Sequence, residues 1–324
     1  MLKDPFGRTI DYMRISVTDR CNLRCRYCMP RDIDRVPMAE ILSYEEIAFI
    51  CEQAAGLGIS RLRITGGEPL VRKGCATLVS MLKRIPGVRQ VALTTNGVLL
   101  AEQLEGLLEA GLDTVNISLD TTDRERYRAI TGMDELERVL ASVRLAAGKL
   151  PVKINCVVQR GVNEDAPVQL ARLAEKMSAD VRFIELMPIG AAKGMETVPN
   201  SEVLGLIENR FGPAAADPER RGGGPAVYRR PEGFTGRIGF ISAVHGKFCD
   251  TCNRLRLTSV GELKPCLCYG DVIPLKGILR DGAEGKAERI REGILEAVRN
   301  KPKAHCFDHG GEAAEQRRMS EIGG

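Results

Sequence analysis

The chain of 324 residues contains no tryptophan, only three histidines, and aromatic residues at 4% of its length. Platforms that stack single-stranded nucleic acid depend on aromatic side chains, so their scarcity argues against that class of binding. No apolar run approaches the ~18 residues that a membrane-spanning helix needs, and the N-terminal segment lacks the pattern of a signal peptide. We therefore expect a cytoplasmic protein that has neither nucleic acid nor a membrane as its partner.

The charge balance is mild, because 47 basic residues against 43 acidic ones leave a net charge of +4. This value is too small for an extended nucleic-acid surface but allows a local basic pocket for a small anion. Eleven cysteines are the exception to an otherwise ordinary composition. A reducing compartment disfavours a disulfide framework, so we expect metal-binding or catalytic roles for them. Seven of them form two groups: Cys21, Cys25 and Cys28; Cys249, Cys252, Cys266 and Cys268.

Short β-rich runs alternate with helical patterns over the first 190 residues. The runs begin near Tyr12, Arg61, Gln90, Thr114, Val152 and Val181. This alternation predicts a parallel sheet in an α/β protein, and six units favour a partial (βα)6 TIM-like barrel, with a flat doubly wound sheet as the alternative. Ser43 and Glu46 predict a capping box at the start of the first helix.

The composition changes after Pro188, and glycine, proline and arginine concentrate between Pro213 and Gly236. We interpret that stretch as a loop. The predicted organisation is a barrel over residues 1–212, followed by a C-terminal cysteine-bearing region over residues 213–324.

The first three cysteines follow the first predicted strand with the spacing CxxxCxxC. Three thiolates can bind three irons of a 4Fe–4S cluster and leave the fourth iron open to another ligand. A zinc site is the alternative, although zinc sites usually show CxxC pairs and four closed ligands. Three buried apolar cysteines fit poorly in so polar a loop.

This loop, with Tyr27 before the last cysteine and Thr65-Gly66-Gly67-Glu68-Pro69 after the second strand, resembles the radical S-adenosylmethionine (SAM) superfamily. The resemblance implies that the open iron binds SAM and that the glycine-rich turn holds its methionyl ammonium group, with Glu68 as an acceptor. It also implies cleavage of SAM to a 5′-deoxyadenosyl radical. The residues implied on the SAM side are Tyr27, Gly66, Gly67, Glu68, Ser118 and Met187.

The spacing of the second group leaves a zinc ribbon and an iron–sulfur cluster equally open. The surrounding sequence, Cys252-Asn-Arg254-Leu-Arg256 with Pro265-Cys266 beyond it and Gly323-Gly324 at the end, resembles the GTP 3′,8-cyclase family of molybdenum cofactor biosynthesis. The resemblance extends over almost the whole chain. It implies a second 4Fe–4S cluster on Cys249, Cys252 and Cys266, whose open iron contacts GTP. Cys268 could compete as a ligand, but the family pattern favours Cys266.

The same resemblance implies the residues that serve the nucleotide. They are Arg14, Arg63, Thr94, Lys153, Arg254 and Arg256 for GTP, with Arg254, Arg256, Gly323 and Gly324 in catalytic positions. Arginine suits a triphosphate because its planar group donates two parallel hydrogen bonds and keeps its charge. The double-glycine terminus lacks side chains, and we expect it to insert near Arg254 and Arg256.

The family activity implies conversion of GTP to (8S)-3′,8-cyclo-7,8-dihydroguanosine 5′-triphosphate. The implied partners are an electron donor protein, a downstream cyclic pyranopterin monophosphate synthase and a second copy of the chain in a homodimer. Two other functions remain open. One is a radical SAM peptide-maturing enzyme with an auxiliary cluster, which carries a longer and cysteine-richer C-terminal region. The other is a zinc-binding interaction module without enzymatic activity.

Overall fold

The computed structural model describes residues 1–29, 36–219, 222–307 and 315–323. The first half of the chain contributes six strands, each paired in parallel with the next. They are β1 (Tyr12–Ser16), β2 (Arg61–Thr65), β3 (Gln90–Thr95), β4 (Thr114–Ser118), β5 (Val152–Val158) and β6 (Ala179–Glu185). The predicted six-unit arrangement is confirmed. Apolar and polar residues alternate along most of these strands, as in β1 (YMRIS) and β2 (RLRIT). The apolar residues belong to the buried core, and the polar residues on the other face of the sheet include those that line an internal cavity.

Seven helices accompany these strands along the chain. They are α1 (Tyr44–Gly56), α2 (Cys75–Lys83), α3 (Leu100–Glu109), α4 (Arg124–Thr131), α5 (Leu136–Ala147), α6 (Ala166–Lys176) and α7 (Asn200–Phe211). The capping box is confirmed, since the Ser43 side chain accepts from Glu46 N and Ser43 N donates to the Glu46 carboxylate at 2.7 Å. Helices α4 and α7 were not predicted from the sequence.

The C-terminal region extends the same sheet at both edges. Its elements are β7 (Ala214–Asp217), β8 (Val227–Pro231), β9 (Ile238–Ile241), β10 (Arg254–Leu257), β11 (Glu262–Lys264), β12 (Ile273–Pro274), α8 (Lys276–Arg280), α9 (Lys286–Arg299) and α10 (Met319–Ile322). Strand β9 pairs in parallel with β6, and β10 pairs in parallel with β1. The order is β12-β11-β10-β1-β2-β3-β4-β5-β6-β9-β8-β7, so the described sheet is open.

The expectation of a loop from Pro213 to Gly236 is wrong in part, because β7 and β8 lie within it. Strands β7 and β8 pair with each other in antiparallel register, and β8 also pairs with β9 in antiparallel register. Arginines at 229 and 230 and the nearby glycines concealed the strands from local pattern analysis. A hairpin at the edge of a sheet tolerates charged residues because its outermost strand pairs with a neighbour on one side only.

Strand β10 determines where the C-terminal cysteines lie. Tyr12 on β1 is in register with Arg254, and Arg14 is in register with Arg256. The chain therefore brings a segment from beyond residue 250 directly beside its first strand. The boundary predicted at residue 212 falls just after α7 and stays a prediction. In the described part of the chain, none of the helices combines the length and the apolar character that crossing a membrane requires.

Candidate active site

The loop with the first three cysteines leaves the carboxyl end of β1 and lies against the glycine-rich turn that follows β2. Gly67 N donates to Thr18 O at 2.7 Å, and Glu68 N donates to Arg20 O at 2.7 Å. A Cβ atom at Gly66 would stand 2.8 Å from Thr18 O, and one at Gly67 would collide with Arg20 O. Glycine is therefore required at both positions because the backbone of this turn lies against the backbone of the cysteine loop. The contact of this turn with SAM stays a prediction.

The three thiols of this loop lie close together in a poorly solvated place. Burial raises the pKa of Cys21 to about 11 and that of Cys28 to about 12. Burial raises the pKa of Cys25 well above its usual value, and the neighbouring Cys28 and Cys21 add to the effect. Three thiolates in such surroundings need bound cations to neutralise them, and the irons of a cluster supply that charge. We call this set the first trio, and it fits an iron–sulfur cluster.

Two of the residues expected on the SAM side hold neighbouring loops in place. The buried Glu68 carboxylate accepts from Thr95 Oγ1 at 2.7 Å and from Asn96 N at 2.6 Å, and burial raises its pKa to about 7. Tyr27 Oη donates to Asp120 Oδ2 at 2.9 Å. Burial raises the pKa of Asp120 to about 6. Sequence analysis did not single out Asp120, which fixes the aromatic ring beside the first trio.

A cavity of about 270 Å³ occupies the interior of the barrel. Its wall contains the first trio together with every residue predicted to bind SAM and every residue predicted to bind GTP. These residues are Tyr27, Gly66, Gly67, Glu68, Ser118 and Met187 on one side and Arg14, Arg63, Thr94, Lys153, Arg254 and Arg256 on the other. The structure thus gathers residues from six strands and three loops around one space, and their individual roles stay predictions.

The basic residues of this wall lie on adjacent strands. Arg14 is in register with Arg63 on β2 and with Arg256 on β10, and paired residues of neighbouring strands project from the same face. Burial, followed by the charge of Arg256, lowers the pKa of Arg14 well below its usual value. Burial, followed by the charge of Arg254, lowers the pKa of Arg256 to about 10. An anion in this space would relieve both the desolvation and the mutual repulsion.

Arg182 also lines the cavity and was missed by sequence analysis. Its side chain is buried, its Nη2 donates to Asn155 Oδ1 at 2.6 Å, and burial lowers its pKa. The neighbouring Val181 and Phe183 are completely buried. An arginine between two apolar core residues of a central strand was the signal that could have identified it, because buried arginine is rare without a partner.

The second group of cysteines gathers at the amino end of β10. Cys249 begins a short helical turn, Cys252 directly precedes the β10 segment, and Cys266 follows β11. Burial raises the pKa of Cys249, and the charges of Cys266 and Cys252 raise it further, so the three sulfurs lie close together. We call this set the second trio. It does not line the cavity, but Arg254, which does, places Nη2 3.9 Å from Cys252 Sγ.

A buried lysine organises the second trio and was also missed by sequence analysis. Lys301 Nζ donates to Arg254 O at 2.7 Å and to Pro265 O at 2.8 Å, which ties the start of β10 to the residue before Cys266. Burial acts to raise the pKa of Cys252, but the charges of Arg254 and Lys301 outweigh it and lower that pKa to about 6. The second trio therefore contains a thiol that is ionised at neutral pH before any metal binds.

Cys268 lies in a small apolar cluster with Ile189, Phe307 and Ile322, and its Sγ atom is 2.7 Å from that of Cys306. Cys268 thus packs as a small apolar residue, and whether it replaces Cys266 as a ligand stays open. In the described residues, no three His, Cys, Asp or Glu side chains form a group suited to one metal ion. A cubane differs from such a site because each thiolate binds a different iron.

The two trios lie at opposite ends of β1. The first follows the carboxyl end of this strand, and the second precedes Arg254, which is in register with Tyr12 at its amino end. Five residues of strand span roughly 16 Å. The trios are therefore separated by about the length of one short strand, and the basic wall of the cavity lies between them. Two clusters that act on one substrate require a cavity between them, and the cavity inside the barrel has that position.

The C-terminal segment reaches the same space. Gly323 O accepts from Arg256 Nη1 at 2.6 Å. A Cβ atom at Gly323, whose φ is +78°, would stand 3.0 Å from Ser16 Cβ and 3.2 Å from Thr65 Oγ1. The tail is thus inserted near Arg256, as expected, at a place where only glycine fits without displacement. Gly324 lies outside the described residues, and the catalytic role of both glycines stays a prediction.

Solved structures resemble this chain in fold. Streptococcus suis SuiB bound to S-adenosylmethionine matches with a TM-score of 0.64 at 13% identity, covering 97% of this chain and 78% of that chain. SuiB bound to its precursor peptide SuiA matches with a TM-score of 0.62 at 14% identity, covering 92% of this chain and 66% of that chain. At such low identity the likeness concerns the fold alone.

Family models and curated relatives give a narrower assignment. The Radical SAM superfamily model matches residues 15–174, and the Molybdenum Cofactor Synthesis C model matches residues 179–307. GTP 3′,8-cyclases from Moorella thermoacetica and Pelotomaculum thermopropionicum are 47% and 46% identical over the full length of both chains. A GTP 3′,8-cyclase from Clostridium perfringens is 42% identical, again over both full lengths. The chain belongs to the GTP 3′,8-cyclase family of radical SAM enzymes.

Proposed function

We propose that this protein converts GTP to (8S)-3′,8-cyclo-7,8-dihydroguanosine 5′-triphosphate, the first step of molybdenum cofactor biosynthesis. The proposal rests on the family and on one observation, the buried basic group between the two cysteine trios. The reaction joins two atoms of one nucleotide, C3′ of the ribose and C8 of the guanine. It requires a closed space that holds the triphosphate at a fixed distance from the source of the radical.

The first trio, Cys21, Cys25 and Cys28, holds the 4Fe–4S cluster that binds SAM. When bound, SAM and this cluster supply the 5′-deoxyadenosyl radical that takes hydrogen from C3′. The chain's own contribution is to position the reactants and to exclude water, and no side-chain base is needed for hydrogen abstraction. This agrees with the wall of the cavity, which we call the chamber. There the Glu68 carboxylate accepts from Thr95 and Asn96, and the Asp120 carboxylate accepts from Tyr27.

The basic wall binds the triphosphate. Arg14, Arg63, Lys153 and Arg256 lie on four strands around one cavity. A nucleoside triphosphate brings close to four negative charges, which offset the burial and the mutual repulsion that lower the pKa values of Arg14 and Arg256. Arg182 joins this group as a fifth cation from β6.

The second trio, Cys249, Cys252 and Cys266, holds a second 4Fe–4S cluster with one iron open to the guanine. Support comes from the closeness of the three thiols and from the contact of Cys252 with Arg254, which lines the chamber. An electron donor protein reduces the enzyme, a cyclic pyranopterin monophosphate synthase takes the product, and the enzyme acts in the cytoplasm as a homodimer. These partners follow from the family resemblance.

The test is anaerobic reconstitution with iron and sulfide, followed by reaction with SAM, a reductant and GTP deuterated at C3′. We expect about eight irons per chain and transfer of deuterium into 5′-deoxyadenosine. About two zinc ions per chain and no visible absorption would favour the zinc-binding module instead. Cleavage of SAM without deuterium transfer from GTP, in a protein with both clusters, would contradict the proposed substrate.

A further inference from the structure

Residues 315–323, which we call the tail, contact both ends of the active site. Met319 lines the chamber, and the backbone of Ser320 forms a hydrogen bond with the Cys28 thiol of the first trio. Three residues later, Gly323 O accepts from Arg256. The tail crosses the loop after β6 so closely that a Cβ atom at Gly190 would stand 2.9 Å from the Cα atom of Arg318. The tail thus occupies a defined path rather than lying on the surface.

A buried ion pair holds the beginning of this path. Lys264 on β11 is fully buried, Glu315 is 1% exposed, and their charged groups are in contact. Lys264 Nζ also donates to Tyr269 O at 2.8 Å. Arg317 Nε donates to Glu315 Oε1 at 3.0 Å, and Arg317 forms a second ion pair with Glu262. We call Lys264, Glu315 and Arg317 the tail clamp.

The clamp lies directly beside the residue that receives the tail. Lys264 is in antiparallel register with Arg256 across the β10–β11 pair. Glu315 N donates to Cys268 O at 2.9 Å, which adds a backbone contact to the ionic one. The chain therefore leaves the clamp, turns through α10, and returns to the same strand pair at Gly323. Only seven residues lie between Glu315 and Gly323, so a change at the clamp is transmitted over a short length of chain.

A buried ion pair depends on the presence of both partners. Removal of one partner leaves an uncompensated charge inside the protein, which is strongly destabilising, whereas replacing both partners with apolar residues is often neutral. An unpaired Lys264 would have to reach water, and the segment that covers it is the tail. Loss of Glu315 therefore favours release of the tail from the strand pair.

We propose that Lys264 and Glu315 are positioning residues that hold the tail so that Gly323 meets Arg256 in the chamber. The inference rests on the proposed function, because it gives the clamp a role in cyclisation of the nucleotide. It adds to that function a pair of residues that touch neither SAM nor GTP. Their effect reaches the reaction only through the path of the tail.

The first experiment measures hydrogen–deuterium exchange of the backbone amides of residues 317–323 in anaerobically reconstituted protein. Glu315→Gln should accelerate exchange at these amides by on the order of tenfold to a hundredfold, because it leaves Lys264 without a charged partner. Lys264→Met should accelerate it in the same direction but by less, because Glu315 keeps its ion pair with Arg317. The double variant Lys264→Met/Glu315→Met should return to within about threefold of the parent, because no charge is left unpaired. Glu102→Gln, which breaks an exposed ion pair with Arg138, is the matched control and should leave the tail unchanged.

The second experiment compares the products of the same variants. With both clusters present, the single variants should keep SAM cleavage but lower the ratio of cyclised product to 5′-deoxyadenosine at saturating GTP, and the double variant should restore it. If the tail amides of the single variants exchange as in the parent, or if the double variant exchanges as fast as the singles, the clamp is refuted. A parent that fails to cyclise GTP but shows the exchange pattern would refute the proposed function alone.

The variant Arg317→Gln tests the clamp even if Glu315→Gln and Lys264→Met do not fold. Arg317 is partly exposed and keeps no apolar core in place, so its removal should spare the fold while it weakens the hold on Glu315. We expect faster tail exchange in the same direction and of smaller size. Unchanged exchange in a folded Arg317→Gln protein would count against the clamp.

Discussion

The two cysteine trios differ in spacing and in electrostatic surroundings. In the first trio, burial and mutual repulsion raise the pKa values of all three thiols. In the second, the cations Arg254 and Lys301 outweigh burial and lower the pKa of Cys252 to about 6. Arg8 adds a further cation there, donating to Cys249 O at 2.9 Å. In the second trio Cys252 is therefore the thiol with a lowered pKa, whereas burial raises the pKa of its neighbour Cys249, as it does for all three thiols of the first trio.

This difference in surroundings corresponds to the different ligands proposed for the two clusters, SAM at the first and GTP at the second. The first trio lies beside the carboxyl groups of Glu68 and Asp120, which add to the effect of burial in raising the pKa values of Cys21 and Cys25. The second trio faces the basic wall and shares Arg254 with the chamber. A thiol held beside cations, as Cys252 is, also suits a site next to a polyanionic ligand. Spacing alone could not distinguish the two environments.

The largest expected effect comes from removing one ligand of each trio. Cys25→Ser should abolish both SAM cleavage and cyclisation, because the cluster that binds SAM loses an essential ligand. Cys252→Ser should keep SAM cleavage and lose cyclisation. Iron analysis should show a loss of about four irons in each variant. Loss of all iron from Cys252→Ser would show that the trios do not assemble independently.

The contrast in pKa values can be tested on the metal-free protein. Cys252 is a thiolate above pH ~6 and a thiol below it, so its alkylation rate should fall about tenfold between pH 7 and pH 5. Cys21, with its pKa raised to about 11, should react faster as pH rises throughout this range. At pH 7 we expect Cys252 to react about a hundredfold faster, since its larger thiolate fraction is partly offset by lower nucleophilicity. Mass spectrometry of the alkylated peptides measures both rates.

The basic wall provides the next test. Arg182→Gln should raise the KM for GTP about tenfold, which corresponds to the loss of one charge-assisted hydrogen bond, with little change in SAM cleavage. Arg124→Gln, at an exposed ion pair with Asp134, is the control and should behave as the parent. An unchanged KM in Arg182→Gln would remove this residue from the nucleotide site.

The smallest effect is expected at the pair of thiols behind the second trio. Cys268→Ser and Cys306→Ser should keep about eight irons, because Cys268 lies in an apolar cluster and contacts Cys306. Cys266→Ser should lose about four. If Cys268→Ser loses iron and Cys266→Ser does not, the ligand assignment in the second trio must be exchanged.

Much of the barrel was predictable from local pattern. The six parallel strands and the capping box at Ser43 follow from short-range signals, namely apolar runs and a hydroxyl three residues before a glutamate. The hairpin of β7 and β8 was not predictable, because the arginine-bearing β8 acquires its structure from pairing with β9, and β7 from pairing with β8. Helix α4 was missed because its strongly polar sequence hides a buried side formed by residues such as Tyr127 and Ile130.

By itself, the sequence determined the chemistry that is written within a few neighbouring residues: three thiols over eight positions, a glycine-rich turn, and a double glycine beyond a polar tail. Tertiary structure alone decided which distant groups join them. Lys301 reaches the start of β10, Arg182 on β6 enters the basic wall, and Lys264 on β11 meets Glu315. Strand β10 itself joins the wall by pairing with β1 across more than 240 residues of chain. Short-range motifs encode ligands through spacing, whereas the charges around those ligands depend on burial and on strand pairing, which no local pattern contains.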